Sequence, residues 1–165
     1  MDLSRFIAAQ DPIYPEVLAE LRAGQKRTHW MWFVFPQLAG LATSERSIRY
    51  AIPSLEAARD YLMHPVLGPR LVQCTELVLT HANKTAREIL GYPDDLKLHS
   101  SMTLFAHASK SMDAEGSGPP SPLRGGIEGG GRAVVPNAAH ACFRAALEAF
   151  YKSKEDEHTL ALLQP

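Results

Sequence analysis

Apolar residues recur at three- and four-residue spacing in one stretch of the chain after another, and residues that start or stop helices separate the stretches. That pattern restricts the chain to packed helices, because a half-buried strand would need a period of two. Ile13, Val17, Leu18 and Leu21 form one stripe, which Gly24 closes, and Asp11-Pro12 reads as its N-cap and first position. Asp2 is placed to cap a shorter helix before it, with Leu3, Phe6 and Ile7 on one face. Residues 44–52 and 54–63 read as short helices, the second capped by Ser54. Pro65 opens a longer one whose stripe is Val66/Leu67, Leu71, Cys74 and Leu77/Val78. Thr85-Ala86-Arg87-Glu88 matches a capping box, and Gly91 is placed to stop that helix. Pro93-Asp94-Asp95 begins the next with carboxylates where the helix dipole favours them, and Leu98, Met102 and Phe105 form its apolar face. Residues 138–151 and a last segment capped by Ser153 complete about eight helices.

Two stretches break the pattern. His29-Trp30-Met31-Trp32-Phe33-Val34-Phe35-Pro36 is dense in bulky residues without a clean period, and reads as a buried strand or an irregular plug through the core. Between residues 110 and 135 lie seven of the eleven glycines, with Pro119, Pro120 and Pro122. This is predicted to be a flexible insertion inside one domain spanning 1–165, since neither flank is large enough for a core of its own. The expected fold class is all-α, a compact multihelical single domain. A chain of 165 residues can bury roughly 70% of its unfolded surface in one core.

Composition removes several function classes. A formal net charge of -1 argues against a nucleic-acid partner. The longest apolar run, residues 30–42, contains Pro36 and Gln37 and is too short to span a bilayer, so no membrane partner is expected. Cys74 and Cys142 lie in apolar helical patterns and read as reduced thiols, which with the lack of a signal-like N-terminus predicts a soluble, cytoplasmic chain. The histidines form no HxxxH or HExxH pair, and neither a P-loop nor a dinucleotide fingerprint occurs. No metal and no cofactor is therefore predicted.

Chemistry has two candidate places. From Leu21 to Leu55 the chain carries five Lys or Arg against one acid, Glu45. Within that stretch Lys26, Arg27 and His29 precede Trp30 and Trp32, a combination suited to a small anionic ligand with a tryptophan stacking on a ring or cation. Equally, the basic residues can be a solvated turn and the tryptophans core. Gln37 leaves the apolar run either to satisfy backbone groups or to face a ligand. The second place is the helix from Pro93. Asp95, His99 and Thr103 share one face, Lys97 and Ser101 another, and Ser100-Ser101 is a polar pair in an apolar helix. Helix capping alone also explains Asp94 and Asp95.

These motifs resemble a known family. His29-Trp30-Met31-Trp32-Phe33-x-Phe35-Pro36-Gln37, His64-Pro65-x-Leu67-Gly68 and Pro93-Asp94-Asp95-Leu96-Lys97-x-x-Ser100-Ser101-Met102-Thr103-Leu104-Phe105 are similar to domain-of-unknown-function family 1810. The similarity runs from Leu3 to about Leu163 and implies a compact helical fold, with no established activity. Members sometimes carry the label calpastatin-like, although inhibitory calpastatin segments are disordered and this chain reads as packed helices. Family members usually replace the 110–135 insertion by a short link.

Two functional expectations follow. One is a small-molecule site, enzymatic or not, where the Lys26–Gln37 and Asp94–Ser101 segments meet. It would bind a phosphorylated or nucleotide-like anion through Lys26, Arg27, Trp30, Trp32, Gln37, Asp94, Lys97, Ser100 and Ser101, with His29 as acid or base and Asp95 orienting it. The other is a non-catalytic interaction domain whose polar residues cap helices and pair with one another. Substrate, reaction class and oligomeric state are left open.

Overall fold

The computed structural model describes residues 1–115, 134 and 136–165. Among them the chain forms ten helices and no strand, so the fold is all-α. Helix α1 (Ser4–Gln10) follows Asp2, whose Oδ1 accepts from the Ser4 N–H at 2.9 Å. Helix α2 (Tyr14–Ala23) begins later than Asp11-Pro12 predicts: residues 11–13 form a turn, and Pro15 fills the first-turn position that needs no donor. Gly24 ends it at φ 69, where an added Cβ would also stand 2.8 Å from His81 Nδ1.

The bulky run is neither a strand nor structureless. Met31–Val34 make one helical turn, α3, and Pro36 then forces Phe35 out of helical geometry, to φ -122 and ψ 72. Beyond it the chain makes an isolated parallel bridge, Leu38 to Ile52. Helices α4 (Glu45–Arg49) and α5 (Leu55–Met63) carry serine caps at Ser44 and Ser54. Helix α6 (Leu67–Leu79) starts two residues past Pro65, because His64 Nδ1 accepts from the Val66 and Leu67 N–H groups and supplies the cap. Gly68 lets α6 lie against the end of α5, where a Cβ would fall 1.9 Å from the Leu62 carbonyl oxygen.

The capping box at Thr85 and Glu88 forms in both directions around α7 (Ala86–Leu90), and Gly91 stops it. Helix α8 (Asp94–Glu115) continues past Lys110, where the insertion was expected to begin. The rest of that Gly/Pro-rich segment, 116–133 and 135, lies outside the described residues. Helix α9 (Pro136–Tyr151) is followed by α10 (Glu157–Leu163), which Asp156 caps in place of the expected Ser153; Ser153 sits at φ 62 in the link.

Helices α5, α7, α9 and α10 all pack on α8. Its middle is buried on every side, so Leu98, Met102, Leu104 and Phe105 share the core with Ser101, Thr103 and Ser109. Two of those hydroxyls donate back into the helix, Thr103 to the His99 carbonyl at 2.9 Å and Ser109 to the Phe105 carbonyl at 2.7 Å. Their polarity therefore costs little in the interior. No helix of the described residues is long and apolar enough to cross a membrane.

Candidate functional site

The segment after Gly24 is held by one carboxylate. Glu20, buried on α2, accepts from the Arg27 N–H at 3.0 Å, the Thr28 N–H at 3.1 Å, the Thr28 hydroxyl at 2.7 Å and the Trp30 indole N–H at 2.7 Å. Burial opposes the charge, but these donors outweigh it and keep the Glu20 carboxyl below its ordinary range. The result fixes Trp30 in the core, 1% exposed, and turns His29 and Arg27 outward to solvent.

Asp94 joins the two segments that the sequence singles out. Its Oδ2 pairs with Lys26 Nζ at 2.8 Å and its Oδ1 with Lys97 Nζ at 3.4 Å. Lys26 also donates to the Thr28 carbonyl at 2.6 Å and stands 5.1 Å from the Trp30 ring centroid, so its ammonium is enclosed and fully occupied. Lys97 is held more loosely. It lies 4.9 Å over the Trp32 ring, and the Arg46 guanidinium lies 5.0 Å from the same ring. Asp95, by contrast, pairs with Arg87 Nε at 3.1 Å and not with His29, and its backbone carbonyl accepts from the Tyr151 hydroxyl.

Beside Lys97 the first turns of α8, the 37–42 loop, the 154–156 link and α10 line an open groove of about 910 Å³. That lies within the size range of pockets for small organic ligands. Its apolar walls are Leu41, Leu96 and Leu162, and the last two are about half exposed, at 50% and 47%. Gln37, Lys97, His99 and Ser100 supply polar groups from one side, and Lys154, Glu155, Asp156, Glu157 and His158 from the other.

Two of the three acids are already committed. Asp156 Oδ2 accepts from the Thr159 N–H and hydroxyl at 2.9 and 2.6 Å and from the Ser100 hydroxyl at 3.2 Å. Glu155 Oε1 is paired with Arg144 at 2.9 Å and with His107 at 3.2 Å. His99 stacks on Tyr151 with ring centroids 4.1 Å apart and donates from Nε2 to the Lys154 carbonyl at 2.7 Å. That bond leaves Nδ1 as the acceptor of a neutral ring.

The sequence-derived candidates therefore separate into groups. Gln37, Lys97 and Ser100 line the groove, and Trp32 stands behind Lys97. Lys26, Asp94 and Trp30 form the interior network beneath it. His29 and Arg27 face solvent, Asp95 belongs to the Arg87 pair, and Ser101 is wholly buried with no hydrogen-bond partner for its hydroxyl among the described residues. Missing from the sequence reading were Glu20, Leu162, Asp156 and His158. Only Glu20 left a signal: a carboxylate in an otherwise apolar helical stripe, one turn before the glycine stop.

The chain belongs to the family described as protein of unknown function (DUF1810), whose model matches residues 1–115. The matched region thus ends with α8, short of the reach that the motifs suggested. Over its full length the chain is similar to a solved structure, that of the conserved hypothetical protein Rv1873 from Mycobacterium tuberculosis. The two are 46% identical, with a TM-score of 0.80, over 98% of this chain and 96% of that one. No curated protein matches the chain.

Proposed function

We propose that this protein binds a small amphipathic anion in the groove between α8, α10 and the 37–42 loop. The observation that carries the reading is that half-exposed Leu96 and Leu162 line one cleft of about 910 Å³ together with Lys97. Apolar walls with a few convergent polar groups are the usual make-up of a small-molecule site. Lys97 is suited to the anion because Asp94, its acid partner, is held more closely by Lys26. Gln37 adds a neutral hydrogen-bonding group, whereas the Ser100 hydroxyl is spent on Asp156 and the Leu96 carbonyl. His99 is the one titratable side chain of α8 at the groove that has an uncommitted ring nitrogen, so any acid–base step would fall to it ahead of the solvent-facing His29.

Thermal melting against a panel of nucleotides, phosphorylated metabolites and amphipathic carboxylates tests this, since a ligand specific for the folded state raises the melting temperature. At least one compound should stabilise the protein, and Leu162→Glu should abolish its shift while leaving the unliganded melting temperature unchanged. A shift that survives Leu162→Glu and Lys97→Met together would place the ligand elsewhere and overturn the reading.

A further inference from the structure

Beyond the groove itself, a second and much smaller space opens beside Trp32. It measures about 20 Å³ and is walled by Trp32, Gln37, Gly40, Ala42, Ser47 and Tyr50. Three of these residues, Gln37, Gly40 and Ala42, also line the large groove, so the two spaces adjoin along the 37–42 loop. Room for roughly one to two water-sized centres excludes a ring and admits one or two oxygens of an oxyanion head, the rest of which stands in the adjoining groove.

The donors around it are uncommitted. The backbone N–H groups of Gly40 and Ala42 have no acceptor among the described residues, and neither does the Gln37 side-chain amide. Ser47 Oγ accepts from the Ser44 hydroxyl at 2.7 Å, which leaves its own proton to give. Arg46, 5.0 Å from the Trp32 ring, has no carboxylate partner among the described residues. Lys97 reaches the same ring, and the one acid nearby, Asp94, is shared with Lys26. Two cations around one indole, with several free donors, exceed what the two oxygens of a carboxylate can use. They match the three oxygens and near-double charge of a phosphate monoester.

Resting on the groove reading, we propose that the crevice at Trp32 is the head-group subsite of the same ligand, and that the head is a phosphate monoester. Its oxygens take the Gly40 and Ala42 N–H groups, Ser47 and Gln37, and Arg46 and Lys97, both beside the Trp32 ring, balance the charge. The ester's organic body lies along Leu41, Leu96 and Leu162.

Calorimetric titration with phenyl phosphate, its methyl diester and benzoate decides the matter. Phenyl phosphate should bind at least about tenfold more tightly than either monoanion, a factor typical of one added charge-assisted contact. Arg46→Gln should remove that advantage, weakening phenyl phosphate more than benzoate, while leaving the melting temperature unchanged. Equal affinities for phenyl phosphate and benzoate would overturn the head-group assignment and leave the groove intact. So would a phosphate preference that Arg46→Gln leaves untouched. Failure of all three probes to bind, in a protein whose panel screen yields another ligand abolished by Leu162→Glu, would likewise reject the phosphate head alone. If the panel too gives no groove ligand, both readings fall.

Discussion

The indole N–H of Trp30 donates to Glu20 Oε2 at 2.7 Å in the interior of the fold, and the same carboxylate gathers the N–H groups of Arg27 and Thr28. One side chain thereby shapes the whole entry to the core segment. Glu20→Gln replaces one acceptor oxygen with an amide that meets donors, and should cost about 1–3 kcal/mol in denaturant unfolding.

The same carboxylate makes a pH prediction with a definite sign. Because its folded pKa is lowered, its contribution is present above the unfolded carboxyl range and is lost as the pH falls below about 4.3 towards the folded value. Part of the acid destabilisation of the protein should be missing in Glu20→Gln, measured as the slope of unfolding free energy between neutral and acidic pH.

Lys26 and Lys97 share Asp94 yet should respond differently to substitution. Lys26→Met strips an enclosed ammonium from a 2.8 Å pair and should cost about 1–3 kcal/mol. Lys97→Met leaves that pair whole and should cost about 1 kcal/mol or less, while abolishing the ligand shift. Melting each variant with and without ligand separates the two roles.

These contrasts show what the sequence could and could not reveal. Caps and stripes were legible because they act between residues three or four apart: Ser54, the Thr85–Glu88 box, Gly24 and Gly91 all stand as read. The Lys26–Asp94 contact was anticipated only as a meeting of two polar segments. The groove was not legible, since it arises where α10 returns to α8, and Leu162 and His158 look like ordinary residues of an amphipathic helix. Asp95 and His99 share a helical face as expected, but the partners of that face come from α7 and the 151–156 link, at separations no periodicity encodes.

Gly68 faces a different demand. A methyl group there would overlap the Leu62 carbonyl oxygen at 1.9 Å, and backbone on both sides prevents relief. Gly68→Ala should destabilise by about 3 kcal/mol or more, visible as a lower denaturant midpoint.

Both thiols are pushed up to about 12 by burial, Cys74 beside Tyr14 and Cys142 near Glu76. Thiolate is the reactive form, so iodoacetamide at pH 8 should leave both unmodified in the folded protein and label both after denaturation, as read by intact mass.

Helix α8 is gripped by α5, α7, α9 and α10 at once, and its central residues meet no solvent. Such a helix cannot be released in part: freeing it means dismantling every neighbour. Its amides around residues 101–106 should therefore exchange with deuterium only through global opening, at rates that report the stability of the entire molecule, whereas those of α4 and α10 exchange through local fraying. The axle of the fold thus doubles as its slowest clock.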